Sequence, residues 1–233
     1  MTSLKNRKFK LSDLQAAFAD KPASSDVDNG DWFNVSTDLA VDSQVTVRLI
    51  EDADESNAFG AFVKTSRHGF EIHGQWKSIV CNKHTHNLPC QLCDESAKFY
   101  NEDDRENGRK LYKKDKMLAQ VLIVDHDDKD LIGQYKTISF TVPLFKQILE
   151  GGLSDLDAPA WDVKDGCDLI IKKTYDGKWN KYTARFARKE SPVPADMIDT
   201  IRDSQVQLSS LVPDAADDTN INLLLTEYLD SLV

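Results

Sequence analysis

The sequence predicts a mainly β domain, and three observations lead to this prediction. Several short segments alternate apolar and polar residues or are rich in β-branched residues, as strands are. The dipeptide Asp176–Gly177 separates two such segments and suits the positive φ values of a tight hairpin turn. Helical periodicity is confined to a few short stretches. Five or more strands with hairpin turns and few helices are typical of a five-stranded Greek-key barrel of the oligonucleotide/oligosaccharide-binding (OB) type.

The elements are predicted from local patterns along the chain. The predicted strands cover residues 44–50, 59–65, 70–80, 117–124, 135–142, 168–175 and 178–186. Gln44–Ile50 alternates and predicts one buried face, whereas residues 117–124 are almost wholly apolar and predict a strand that is buried on both faces or forms a barrel wall. Arg67–Gly69 is predicted to be a turn. Pro143–Leu149 is predicted to be a helix, because proline suits its first turn and two glycines follow its end.

The chain divides by composition into four parts. Residues 1–20 form a basic arm with a short helix, residues 21–31 a linker, residues 32–194 the OB-fold core with a metal-binding lobe at about 67–98, and residues 195–233 an acidic segment with two short helices. The cations of the arm are Lys5, Arg7, Lys8 and Lys10.

The charge distribution leaves a nucleic-acid role open although the net charge is −10. Residues 195–233 hold eight acids and one base, a net −7, so residues 1–194 carry only −3. A basic face can exist on such a body. No apolar run approaches the roughly 20 residues that span a bilayer, and no apolar stretch follows the basic N-terminus, so we expect a cytoplasmic protein without a membrane partner.

Three of the four cysteines lie close together and predict a metal site. Cys90 and Cys93 form a Cys-x-x-Cys pair, and Cys81 supplies a third thiolate. In a reducing compartment such a cluster favours metal over disulfides. Spacing leaves the fourth ligand open among His68, His73, His84, His86 and Cys167. Four such ligands with no open position make a structural Zn²⁺ site.

The cysteine motif is also compatible with two other kinds of zinc protein, a zinc deaminase and a zinc module that binds protein or duplex DNA. Pro89-Cys90-x-x-Cys93 matches half of the zinc-deaminase signature, whose other half is His-x-Glu. Glu71 follows His68 by three residues, which is one too many, and precedes His73 by two, which is the reverse order, so we predict no enzymatic activity. The other alternative is a structural or transcriptional zinc module that binds protein or duplex DNA.

The region around the cysteines resembles a known family, the zinc-containing single-stranded DNA-binding proteins of T-even-type bacteriophages. The resemblance rests on His68-Gly69-Phe70, Gly74-Gln-Trp76, Cys81, Thr85-His86 and Pro89-Cys90-x-x-Cys93, continues through 110–124 and the hairpin at 177–182, and covers about 30–195. It implies the ligand set His68, Cys81, Cys90 and Cys93. It also implies sequence-independent binding of single-stranded DNA in replication, recombination and repair, in the host cytoplasm if the protein is viral.

Non-specific single-strand binding needs cations along the phosphates and aromatic rings that stack on bases. Two stretches combine both. The predicted DNA-binding residues are Tyr100, Lys110, Tyr112, Lys113, Lys114 and Lys116 in the first stretch, and Lys172, Lys173, Tyr175, Trp179, Lys181, Tyr182 and Arg185 in the second. Trp32 and Trp76 are predicted to pack inside the protein.

The two ends are predicted to bind proteins. The resemblance implies that the basic arm contacts the neighbouring protomer on DNA. The acidic, leucine-rich C-terminus suits docking into a basic groove on a replication or recombination protein, or competition with DNA for the protein's own groove.

Overall fold

The computed structural model describes residues 32–150 and 159–232. The strands are β1 (Trp32–Phe33), β2 (Gln44–Ile50), β3 (Val63–Ile72), β4 (Gln75–Val80), β5 (Lys114–Asp125), β6 (Tyr135–Thr141), β7 (Leu169–Tyr175) and β8 (Asn180–Phe186). The helices are α1 (Asn82–His86), α2 (Gln91–Asn101), α3 (Arg105–Leu111), α4 (Val142–Ile148), α5 (Ala195–Ser204) and α6 (Asp218–Asp230). The basic arm, its helix and the linker predicted at 1–31 lie outside the described residues.

The chain divides into two compact units. Among the described residues, the first unit holds 32–63, 117–150 and 159–211, and the second holds 64–116 and 212–232. The second unit therefore comprises an insertion between two strands of the first together with the end of the chain.

In the first unit, the strands follow the order β1-β6-β5-β2-β7-β8. Strand β2 pairs antiparallel with β5 and β7, and β1 pairs parallel with β6. The apolar residues of these strands meet α4 in one core, where Phe62 packs edge-on against Phe145 at a centroid distance of 5.0 Å. Helix α5 packs through Ile201 against Ile50 and Leu122.

In the second unit, β3 pairs antiparallel with β4 and also pairs with β5, whose first three residues belong to this unit. The core of the unit is built by β3 and the helices α2, α3 and α6. Its buried side chains include Phe70, Leu92, Leu111, Ile221 and Tyr228.

The predicted strand-rich core is present, but the fold is mixed α/β and not mainly β. The eight described strands lie in an open order with β1 and β8 at its ends, so their pairings do not close a five-stranded barrel. The sequence pattern did not reveal α1–α3. The first two of these helices begin directly after cysteines, at Cys81 and Cys90, and neither has the long apolar periodicity that marks a helix in a sequence.

Several predicted elements are confirmed, and two turns are corrected. Strand β2 has the predicted bounds, and the bounds of β5, β6 and α4 each differ from the predicted ones by three residues or fewer. The predicted turn at Arg67–Gly69 is wrong, because these residues lie within β3. The chain reverses at His73–Gly74, where both residues have positive φ (49° and 77°). The β7–β8 connection spans four residues, 176–179, and not two.

The residues predicted as one acidic segment belong to both units. Residues 195–211 lie in the first unit, where Ile201 and Leu208 are buried, and residues 212–232 lie in the second, where Ile221 and Tyr228 are buried. In the described part of the chain, no helix has the length and apolar character needed to cross a bilayer.

Candidate metal centre and candidate nucleic-acid interface

One histidine and three cysteines meet inside the second unit. The ligand atoms of His68, Cys81, Cys90 and Cys93 all lie within 4.8 Å of one another. Nε2 of His68 is 3.4 Å from Sγ of Cys90 and 3.5 Å from Sγ of Cys93, and the sulfurs of Cys81 and Cys93 are 3.4 Å apart. Three of the residues are buried, and Cys93 is partly buried.

Local backbone structure explains how these four residues meet. His68 lies on β3 opposite Ile79 of β4, and Cys81 follows β4, where its N–H donates to the Ser66 carbonyl of β3 at 2.8 Å. Cys90 is the N-cap of α2 and Cys93 lies in its first turn. The positive end of a helix dipole favours thiolates at these two positions.

The orientation of His68 identifies its ligand nitrogen. Nδ1 lies 2.7 Å from the carbonyl oxygen of Leu111. A carbonyl can only accept, so Nδ1 carries the proton and donates, and the lone pair of Nε2 faces the sulfurs. Metal-binding histidines are typically held by such a second hydrogen bond.

The other candidates for the fourth ligand lie elsewhere. Nε2 of His86 lies 2.9 Å from the carbonyl oxygen of Pro213. His73 is exposed in the β3–β4 turn, and Cys167 belongs to the first unit. His84 is not in the cluster that could hold a metal. The structure therefore brings together the four residues that the resemblance implied. None of the alternative ligands belongs to this cluster.

The protonation chemistry of the cluster suits a divalent cation. Burial lowers the pKa of His68, but hydrogen bonds with Cys81 and Cys90 outweigh it and raise that pKa to about 9. Hydrogen bonds with Cys81 and Cys93 lower the pKa of Cys90, whereas hydrogen bonds with Cys81 and Cys90 raise the pKa of Cys93. Without an ion, the sulfurs compete for protons; a cation allows every thiol to be a thiolate.

The cluster could hold a metal ion such as zinc. Zinc–sulfur bonds of about 2.3 Å and zinc–nitrogen bonds of about 2.0–2.1 Å in a tetrahedron place the ligand atoms about 3.5–3.8 Å apart. The separations of 3.4–3.5 Å observed here are close to that range. Four protein ligands fill a tetrahedron, so such an ion would have no position for a reacting water.

The first predicted DNA-binding stretch is largely engaged in contacts within the protein. Lys113 is buried and pairs with the buried Asp115, and Lys116 is also buried. Lys110 is exposed and pairs with Glu106 at 2.7 Å. Lys114 is partly buried. The rings of Tyr100 and Tyr112 meet edge-on at a centroid distance of 6.4 Å.

The second stretch is the β7–β8 hairpin, whose register separates its cations from its core. The cations Lys172, Lys181 and Arg185 are exposed, and their positions in the register place them on one face. Lys173 lies on the other face, where it is buried and donates to the carbonyls of Ser36 and Leu39, each at 2.7 Å. Its ammonium group is thus held inside the first unit.

The tip of the same hairpin presents aromatic rings to solvent. Tyr175 is 53% exposed and Trp179, in the connection between the strands, is 66% exposed. The side chain of Asp176 accepts hydrogen bonds from the N–H groups of Trp179 (2.8 Å) and Lys178 (3.0 Å). The hydrogen bond from Trp179 contributes most to lowering the pKa of Asp176 to about 2, and the contacts with Lys181 and Lys178 add to the effect. Tyr182 is different, because it is partly buried against the core.

Trp76 contradicts the prediction that it packs inside the protein. It is 50% exposed on β4, which pairs only with β3 among the described strands. The Nζ of Lys114 lies 4.6 Å from the centroid of the Trp76 ring. Polar Gln75 and Lys77 flank Trp76, and in a strand this alternation predicts a buried Trp76, so the local pattern could not reveal its exposure.

Comparison with models of protein families finds none that matches the chain, and comparison with curated proteins finds no match either.

Proposed function

We propose that this protein binds single-stranded DNA without sequence preference and that a Zn²⁺ ion held by His68, Cys81, Cys90 and Cys93 stabilises its second unit. The observation that carries the proposal is the tip of the β7–β8 hairpin. Trp179 is exposed there in the connection between the strands, Tyr175 is exposed on the face that carries Lys173, and three exposed cations lie on the opposite face of the hairpin. The resemblance to the phage DNA-binding family, which rests on the residues given above, supports the same function.

Exposed aromatic residues are common on proteins, and Trp179 is distinguished from them by its surroundings. The Asp176 side chain fixes the backbone at Trp179, and the Nζ of Lys178 lies 5.6 Å from the centroid of the Trp179 ring. A preorganised ring beside cations fits a base and its phosphate. Base–aromatic stacking contributes about 1–3 kcal/mol per base and accepts any base, because every base has a π face.

The cations on the hairpin supply the electrostatic part of the proposal. Lys172 and Arg185 have no acidic partner among the described ion pairs, and the pair of Lys181 with Asp176 is exposed to solvent. Exposed pairs contribute little, so a phosphate can replace the carboxylate. Each phosphate neutralised on a single strand changes the slope of log K against log salt by about −0.7.

The zinc has a structural role in this proposal. Metal binding at such sites is coupled to folding, because the ligands meet only in the folded chain. Here the ligands come from β3, the end of β4 and the start of α2, so an ion would tie these three segments together. We propose no catalytic step.

The test is a fluorescence anisotropy titration of labelled oligo-dT with the full chain and with a Tyr175→Ala/Trp179→Ala variant. Loss of two stacked bases is expected to weaken binding at least about 30-fold, the effect of about 2 kcal/mol. Ile132→Ala, which removes an exposed apolar side chain elsewhere in the first unit, is the control and should bind like the parent. Equal affinity of all three proteins would reject the hairpin as the binding surface.

A further inference from the structure

The ring of Trp76 packs closely against Gly69 of the neighbouring strand. A Cβ atom at Gly69 would be 2.7 Å from Cζ2 of the Trp76 ring, which is closer than carbon atoms approach. Residue 69 pairs with Ser78, two residues from Trp76 on the same strand. The ring therefore lies against the backbone of β3, and its position depends on the absence of a side chain at 69.

A lysine fixes the same ring from a second strand. Nζ of Lys114 is 4.6 Å from the Trp76 centroid and donates to the carbonyl oxygen of Gly69 at 2.9 Å. Burial lowers the pKa of Lys114, as expected for an ammonium group partly removed from water. Trp76 nevertheless remains half exposed, so about half of its surface is available to a ligand.

An open groove of about 510 Å³ adjoins the ring. Lys110 and Lys114 contribute its two lysines, and Glu71 is the acid that also lines it. Tyr228 and Leu232, near the C-terminus, add further apolar lining. The groove thus joins an exposed indole to two lysine side chains within a single unit.

We infer that this groove is a second nucleotide-binding subsite, in which a base of single-stranded DNA stacks on Trp76 while its phosphate contacts Lys110. The inference rests on the proposed function and adds to it a contact that belongs to the metal-binding unit. Lys110 suits this role because its partner Glu106 is an exposed side chain, so the phosphate competes only with a solvated ion pair.

Photocrosslinking of the full, zinc-loaded chain tests the subsite directly. Oligo-dT substituted with 5-iodouracil crosslinks to aromatic residues in contact with the base, and peptide mapping identifies them. A crosslink at Trp76 is expected. Crosslinks confined to Tyr175 and Trp179 would overturn the subsite and leave the proposed function standing, whereas the absence of any salt-sensitive binding by the parent chain would reject the proposed function itself.

Affinity measurements give an independent test. Trp76→Ala is expected to weaken oligo-dT binding about 5- to 150-fold, the range for the loss of one stacked base, and Trp76→Phe should weaken it less. Gly69→Ala retains the indole but displaces it, and should also weaken binding. Metal content and melting temperature identify any variant that fails to fold. Leu223→Ala, which removes an exposed leucine of the same unit, is the control.

The acidic peptide poly-glutamate serves as the competing ligand. If Trp76→Ala and Trp76→Phe bind oligo-dT as tightly as the parent but lose affinity for poly-glutamate, the groove recognises acidic peptides, and the nucleotide subsite is wrong.

Discussion

The hydroxyl group of Tyr228 donates a hydrogen bond to Oδ1 of Asn107 at 3.0 Å. Its ring packs edge-on against Phe70 at a centroid distance of 5.2 Å and is almost completely buried. Tyr228 thus anchors helix α6 in the core of the second unit. Its hydrogen-bond partner, Asn107, lies 121 residues earlier in the sequence.

Replacing Tyr228 separates its packing from its hydrogen bond. We expect Tyr228→Ala to lower the free energy of unfolding by about 3–5 kcal/mol, as for other buried aromatic residues. Tyr228→Phe should cost only about 0.5–1.5 kcal/mol, because it removes one hydrogen bond. Urea denaturation measures both. Leu223→Ala, at an exposed position of the same helix, should change stability little, and equal losses at 223 and 228 would contradict the packing of α6.

Truncating the chain cannot isolate the effect of the acidic residues on DNA binding, because the same segment contributes buried side chains to both units. A chain ending at Pro194 loses Ile201 and Leu208 from the first unit and Ile221 and Tyr228 from the second. We expect it to melt at a lower temperature than the full chain. Competition between the acidic segment and DNA is therefore better tested with substitutions of exposed acids such as Asp230→Asn, measured by oligo-dT affinity at low salt.

The ligand assignment predicts which substitutions release the metal. Cys90→Ser and His68→Ala should each reduce bound zinc below one ion per chain and lower the melting temperature, because metal binding is coupled to folding. His86→Ala should retain zinc, since its ring contacts the Pro213 carbonyl and not the cluster. Metal analysis of the purified variants measures the content. Full zinc in His68→Ala together with loss in His86→Ala would show that the assignment is wrong.

Two aromatic residues of the hairpin should differ in what their loss affects. Trp179→Ala is expected to weaken oligo-dT binding about 5- to 150-fold with little change in melting temperature, because the ring is 66% exposed. Tyr182→Ala is expected to lower the melting temperature, because its ring packs against the core of the first unit. Paired thermal melts and binding titrations separate the two effects. A large stability loss in Trp179→Ala would show that this ring is structural.

Neighbouring lysines on β7 should behave oppositely. Lys172→Ala removes an exposed cation and should reduce the salt slope of oligo-dT binding by about 0.7, the value for one phosphate contact. Lys173→Ala removes the donor to the buried Leu39 carbonyl and to the Ser36 carbonyl and should lower the free energy of unfolding by about 1–3 kcal/mol. Lys164→Ala, at an exposed position of the same unit, is the control for loss of charge. The reverse assignment would contradict the register of the hairpin.

The sequence was most informative where local pattern determines structure. Alternation in Gln44–Ile50 defined β2, and the apolar run within β5 correctly indicated a strand that is almost wholly buried. The turn between β3 and β4 was predicted too early, at Arg67–Gly69, because glycine is common in turns. In the structure, Gly69 lies within β3 and leaves room for the Trp76 ring, and His73 and Gly74 form the turn.

The burial of individual lysines could not be predicted from the sequence. Lys113 and Lys173 stand in the same lysine-rich stretches as exposed lysines, and only tertiary contacts with Asp115 and with the carbonyls of Ser36 and Leu39 distinguish them. The metal ligands show the converse case. Spacing left five candidates for the fourth ligand, and the fold brings His68 to the three sulfurs because β3 pairs with β4.

The most direct test of the account is the affinity of the full, zinc-loaded chain for oligo-dT and for a duplex of the same length across a series of salt concentrations. We predict tighter binding to the single strand, equal affinity for single strands of different sequence, and an affinity that falls linearly on a log–log plot with salt. Preference for the duplex, or an absence of salt-dependent binding to oligo-dT, would contradict the proposal that this protein binds single-stranded DNA.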